Sequence, residues 1–148
     1  MAVLFADRPP EELGEFTGFL MSYLGRRSAA QFASLLAPHG LHPRDFGVLV
    51  VIGKRPGMTQ QQLAEVSSID RSSMVALLDE LEARGLAERR PHPGDRRKRC
   101  IYLTSKGSST MRDLQVEARR SADAFFARLS AEERATLHRL LRKPAALD

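Results

Sequence analysis

The residues best suited to chemistry are charged and hydroxylic, and they lie in two short stretches. Asp95, Arg96, Arg97, Lys98 and Arg99 follow one another, with Arg89 and Arg90 just upstream, and Asp95 is the only acid from residue 89 to residue 99. Guanidinium forks match phosphate and carboxylate oxygens, so this segment is fitted to bind an anionic polymer rather than to make bonds. Asp95 is placed to orient a neighbouring arginine through a charge-assisted hydrogen bond. The second stretch is Asp70, Arg71, Ser72 and Ser73, followed by Val75. An Asp that caps a helix leaves backbone N–H groups and a partial positive charge facing outward, and serine hydroxyls can donate or accept there. Arg71 can reach a phosphate or a guanine. Each stretch alone has a plainer reading, as a solvated basic turn or as a capped core helix. Both together, in this order, point to DNA.

Other chemistries find less support. His39, His42 and Asp45 are spaced by three, but Pro38, Gly40 and Pro43 interrupt the helix that would align them, and His92 and His138 lie elsewhere, so no metal site is expected. The single cysteine, Cys100, forms no intrachain disulfide; neighbouring arginines would suit a redox sensor, while a structural thiol is the simpler expectation. No nucleophile with a base and no Gly-rich phosphate loop is visible, and the acid pairs Glu11-Glu12, Asp79-Glu80 and Glu132-Glu133 fit helix starts or solvated helix faces. The expectation is a protein that is not an enzyme and uses no cofactor.

The chain has 148 residues, 43% hydrophobic and 28% charged, with a formal charge of +5 and a pI near 10.0. That suits one domain over residues 1–148, with a basic balance favouring an acidic partner. No stretch approaches the roughly 18 apolar residues of a membrane span. Residues 1–7 hold an apolar patch without the features of a secretory signal, so the expected location is cytoplasmic.

The elements that would position the two stretches can be read from periodicity. Residues 11–37 read as a long helix with Leu13, Phe16, Leu20, Tyr23 and Leu24 on one face, ended by Pro38 and Gly40. Residues 43–54 read as a helix or, from their β-branched run, as a strand, and the helical segments downstream favour the helix. Thr59 and Gln62 make a capping box for a short helix to residue 66, which includes Gln60 and Gln61. Asp70 caps a helix to residue 84, where Met74, Leu77, Leu78 and Leu81 form one apolar face and Gly85 supplies the stop. Residues 86–90 and 100–104 can pair as a hairpin around a turn at 91–95. A second long helix runs from residue 105 through Met111, Leu114, Phe125 and Leu129; Ser130 and Glu133 then cap a last helix bearing Leu137, Leu140 and Leu141.

Two short helices joined by a tight link and followed by a basic hairpin make a winged helix-turn-helix over residues 40–104. The fold expected is mainly α with a small β-hairpin wing, flanked by terminal helices at 11–38 and 105–143. Those helices carry more apolar surface than a small core can cover, which a self-complementary second copy would bury. Leu13, Phe16, Leu20, Phe125, Leu129, Leu137, Leu140 and Leu141 are the candidates for that contact.

The stretch TQQQLAEVSSIDRSSMVALLDELEARGLAERRPHPGDRRKRCIYLTSKG resembles the DNA-binding core of the MarR family of bacterial regulators, including the wing signature D-x-R-x-x-x-I at Asp95, Arg97 and Ile101. The resemblance implies an obligate homodimer on a pseudo-palindromic operator, usually repressing, and often released by a small-molecule effector bound between the dimer and DNA-binding regions. It makes Arg97 the minor-groove wing residue, Asp95 its orienting acid, and residues 70–75 the start of the recognition helix. Val75 and Ala76 stand where the family often has a hydroxyl or longer polar side chain, so base readout would lean on Arg71, Ser72 and Ser73, with Val75 on a thymine methyl. Tyr23 and Phe46 are candidates to line an effector pocket. A non-specific architectural DNA binder and a winged-helix protein-interaction module are the alternatives, separated by sequence discrimination and by salt-dependent DNA affinity.

Overall fold

Local capping dictates where most helices begin. Pro43 opens α2 (Pro43–Lys54), and Asp45 Oδ2 accepts the backbone N–H of His42 at 2.8 Å, so His42 and Asp45 belong to a helix start. Thr59 and Gln62 bond reciprocally at the head of α3 (Gln60–Val66). Asp70 caps α4 (Arg71–Ala83), and Ser130 with Glu133 caps α6 (Ala131–Arg142). The computed structural model describes residues 8–147; the apolar patch at residues 1–7 lies outside them. The other helices are α1 (Thr17–Leu36) and α5 (Ser105–Phe125). None among the described residues is long and apolar enough to cross a membrane.

Contacts divide the chain into two compact units, residues 32–117 and residues 1–31 with 118–148, and the division falls inside α1 and α5. In the first unit, Met74, Leu77, Leu78 and Leu81 of α4 are all at most 2% exposed and pack with Leu49 and Ile52 of α2, Leu63 of α3, Ile101, Met111 and Leu114. Residues 43–54 are therefore a helix and not a strand. Phe46 packs edge-on against Phe32 at 5.0 Å between ring centres. In the second unit Tyr23 is buried and stacks on Phe19, Gln31 donates to the hydroxyl of Ser121 at 2.7 Å, and Arg134 pairs with Asp123 at 2.6 Å. Phe16, Leu140 and Leu141 are exposed there, while Leu13, Leu20, Phe125, Leu129 and Leu137 are half-buried.

The sheet has three strands in the order β1-β3-β2: β1 (Met58–Thr59), β2 (Ala87–His92) and β3 (Asp95–Leu103). Arg90 faces Cys100 in the β2–β3 register, Thr59 faces Cys100 in the β1–β3 register, and Cys100 is 2% exposed.

Four expectations are corrected. Residues 11–37 are not one helix: a 3₁₀ turn, Glu11–Glu15, precedes an extended Phe16, and α1 starts only at Thr17. Gly14 and Gly18 weaken helix propensity on both sides of the break. The turn at 91–95 is smaller than expected, because β2 runs through Pro91 to His92, with a register shift between those two residues. Proline lacks the N–H a central strand needs but is tolerated on an edge strand such as this one. β1, two residues long, has no counterpart in the periodicity. Finally, α5 ends at Phe125, so Leu129 lies in the connection to α6, its N–H bonded to the carbonyl of Phe126.

One close approach joins the end of α4 to the start of α5. Gly85, at φ +67°, ends α4, Leu86 N–H returns to the Leu81 carbonyl at 2.9 Å, and the hydroxyl of Thr104 donates to Gly85 O at 2.6 Å and accepts the N–H of Gly107. A Cβ on Gly107 would stand 1.9 Å from the carbonyl oxygen of Leu86, a backbone atom that cannot swing away. Alanine normally favours a helix over glycine by about 1 kcal/mol, whereas overpacking costs about 1–3 kcal/mol or more. Gly107→Ala should therefore lower the urea midpoint by an amount corresponding to at least about 1 kcal/mol. A raised midpoint would contradict the approach.

Candidate nucleic-acid interface

The link between α3 and α4 sets the exit direction of the second helix. Ser68 takes a left-handed conformation, φ +51°, and Ile69 N–H bonds back to the Ala64 carbonyl at 3.0 Å. Ser72 then donates its hydroxyl to Asp70 Oδ1 at 2.6 Å, and Ser73 donates its backbone N–H to the same oxygen at 2.9 Å. These bonds, that from the Ser72 hydroxyl foremost, hold the Asp70 carboxyl well below the usual carboxylate range. The hydroxyl proton of Ser72 is thereby engaged, leaving its oxygen as an acceptor to the outside. Arg71 and Val75 are exposed and Ser73 is half-buried.

On the hairpin, Arg96, Arg97, Lys98 and Arg99 are exposed and lie on β3 itself, not in the turn. Asp95 acts on the backbone: its Oδ1 accepts the N–H of Arg97 at 3.0 Å, and its other oxygen lies 3.9 Å from the Lys98 ammonium. The expected bond to an arginine side chain is thus replaced by a restraint on the main chain that carries one. At the turn, His92 Nδ1 accepts the N–H of Gly94 at 3.1 Å.

A cleft of about 510 Å³ brings the two stretches together. Thr59, Gln60, Gln61, Gln62 and Glu65 form one wall, Arg71 stands beside them, and His92, Arg97, Lys98 and Arg99 form the other. Asp70 and Arg71 also border a shallower hollow with Gln61, Ala64 and Ser68. Ser72, Ser73, Val75, Asp95 and Arg96 line neither. The first wall gains its place from β1, the strand that sequence periodicity missed, because Met58 and Thr59 pair with Ile101 and Cys100 of β3.

Two arginines of the basic segment are engaged within the protein. Arg89 pairs with Asp79 and Glu82, and Arg90 pairs with Glu88 while lying 4.6 Å over the ring of Tyr102. Separately, in the unit formed by both chain ends, Tyr23 lines a cavity of about 900 Å³ with Leu20, Leu24, Arg27, Gln31 and Phe125.

This is a winged helix-turn-helix, with α3 and α4 as the helix pair and β2–β3 as the wing. The sequence profile of the MarR family matches residues 39–98. A Thauera aromatica relative, named as a candidate transcriptional regulatory protein for the hcr operon, is 37% identical over 134 residues, spanning 88% of this chain and 81% of its own. The transcriptional repressor CouR, solved with a 23-mer DNA duplex, is 33% identical with a TM-score of 0.79, covering 95% of this chain and 99% of its own. A mutant of Escherichia coli MarR, solved with operator DNA, is 27% identical with a TM-score of 0.71 and covers 90% and 98%. The chain belongs to the MarR family of transcriptional regulators.

Because Asp70 titrates lower in the folded chain than in the unfolded one, its contribution to stability is complete above the ordinary carboxylate range. It is lost as pH falls through that range toward the folded value. Asn also caps helices well, so Asp70→Asn keeps the cap and removes the titration. Between about pH 6 and about pH 3 the parent should lose more stability to urea than the variant. Parallel losses would contradict the assignment.

Proposed function

We propose that this protein represses transcription by binding a pseudo-palindromic operator as a homodimer, in the cytoplasm, and that a small molecule releases it. The observation that carries this is the cleft in which α3, Arg71 and the basic wing strand converge. In this reading Arg71, Ser72, Ser73 and Val75 face base edges, with Asp70 holding the helix start. Arg97 enters the minor groove, set by Asp95, and Arg96, Lys98 and Arg99 meet phosphates. Thr59, Gln60 and Gln61 meet the backbone beside the groove. The structures of CouR on a DNA duplex and of the Escherichia coli MarR mutant on its operator support the reading by relationship.

The second copy would cover the apolar residues of the terminal elements, Leu13, Phe16, Leu20, Phe125, Leu129, Leu137, Leu140 and Leu141, and hold two recognition helices about 34 Å apart. The cavity beside Tyr23 offers room for the effector; Phe46, the other residue expected to line such a pocket, is not among that cavity's lining and packs against Phe32 in the first unit instead. No enzymatic step is part of this function.

Arg97→Ala should weaken binding to the operator by about tenfold or more at fixed salt, by analogy with the loss of one base-pair contact, while leaving the oligomeric state unchanged. Fluorescence anisotropy against the operator and a scrambled duplex, with sedimentation of the free protein, measures both. Equal affinity of the parent for the two duplexes would point instead to a non-specific architectural binder.

A further inference from the structure

Arg89 sits in the basic segment, yet its side chain is only 18% exposed, and its partners come from two other elements, α3 and α4. From β2 its guanidinium reaches α4, where Nη1 lies 2.8 Å from Asp79 Oδ1 and also pairs with the Glu82 carboxylate. Its Nη2 donates to the carbonyl of Val75 at 3.4 Å, and its Nε donates to Gln60 Oε1, on the first residue of α3, at 3.3 Å. The backbone N–H of Arg89 donates to the second oxygen of Glu82 at 2.8 Å. One residue of the wing thus holds both helices of the pair, through a group whose charge is already matched by two carboxylates.

The apolar seam of α4 fixes how deep that helix lies, but apolar contact is non-directional and tolerates small slides and rotations. A planar fork bonded to Asp79, Glu82, Gln60 and a main-chain carbonyl does not. Phosphate contacts survive small displacements, whereas bidentate contacts to base edges are lost. We propose that Arg89 is a positioning residue: without touching DNA, it fixes the recognition helix against the wing strand and so sets the ratio of operator to non-operator affinity. This rests on the reading that residues 70–75 and 95–99 face DNA.

The test is a salt series of anisotropy titrations on the full-length protein, with operator and scrambled duplexes. Arg89→Lys keeps a positive charge but not the fork. Glu82→Gln keeps the Asp79 pair and a hydrogen-bonding oxygen, and serves as the second variant should the first fold poorly. For Arg89→Lys the operator-to-scrambled ratio should fall about tenfold, the size of one mismatched base pair, and less for Glu82→Gln, with the salt slope on scrambled DNA unchanged. Arg89→Met separates positioning from phosphate contact. A slope shallower by about 0.9 for that variant on both duplexes would make Arg89 a phosphate ligand and overturn the proposal. An unchanged ratio in both Arg89→Lys and Glu82→Gln would overturn it as well. Arg97→Ala, run in parallel, keeps the two readings apart: if it weakens binding while the Arg89 and Glu82 variants keep their ratio, only this inference fails, and if it changes nothing on either duplex, the assignment of the face fails.

Discussion

Burial of one seam constrains everything the first unit does. Met74, Leu77, Leu78 and Leu81 are almost completely enclosed, and their spacing puts them on a single side of α4. Once that side is committed to the core, the remaining side, with Arg71, Val75 and Asp79, has to look outward. The same enclosure sets β2 and β3 against the helix pair, since Leu86, Ala87 and Ile101 share the core. Which side of α4 looks outward is thus a consequence of inward packing, while the polar contacts of Arg89 govern only its finer placement.

The parts of this arrangement visible in the sequence are those governed by strong local rules. Capping at Thr59, Asp70 and Ser130 and the stop at Gly85 depend on residues within a few positions, so their spacing is sufficient. The features hidden from the sequence depend on partners distant in the chain. β1 has two residues and exists only because β3 lies beside it; by itself Met58-Thr59 is merely the approach to a cap. Pro91 looks like turn punctuation until the sheet order shows its strand to be an edge. The break at Phe16 lies in the region where aromatic and aliphatic spacing suggests continuity, and two glycines outweigh it.

The candidate site shows the same division. Its residues can be named from the sequence, but the disposition of their charges is not legible there. The local run of arginines reads as one block, whereas Arg89 faces two carboxylates and Arg90 lies on Tyr102, so the positive field toward the cleft comes chiefly from Arg71 and residues 97–99. Formal charge counts every cation alike, while the potential at a surface depends on which are already matched. Asp95 likewise acts through the chain direction of β3, a relation that residue type alone does not reveal.

Cys100 lies where β3 is flanked on both sides, opposite Thr59 on one and Arg90 on the other, with its thiol enclosed. A thiol-modifying reagent meets it only when the packing around it opens. The rate of its labelling is therefore an internal clock for local opening around β3, one that needs no introduced probe because the chain has a single cysteine.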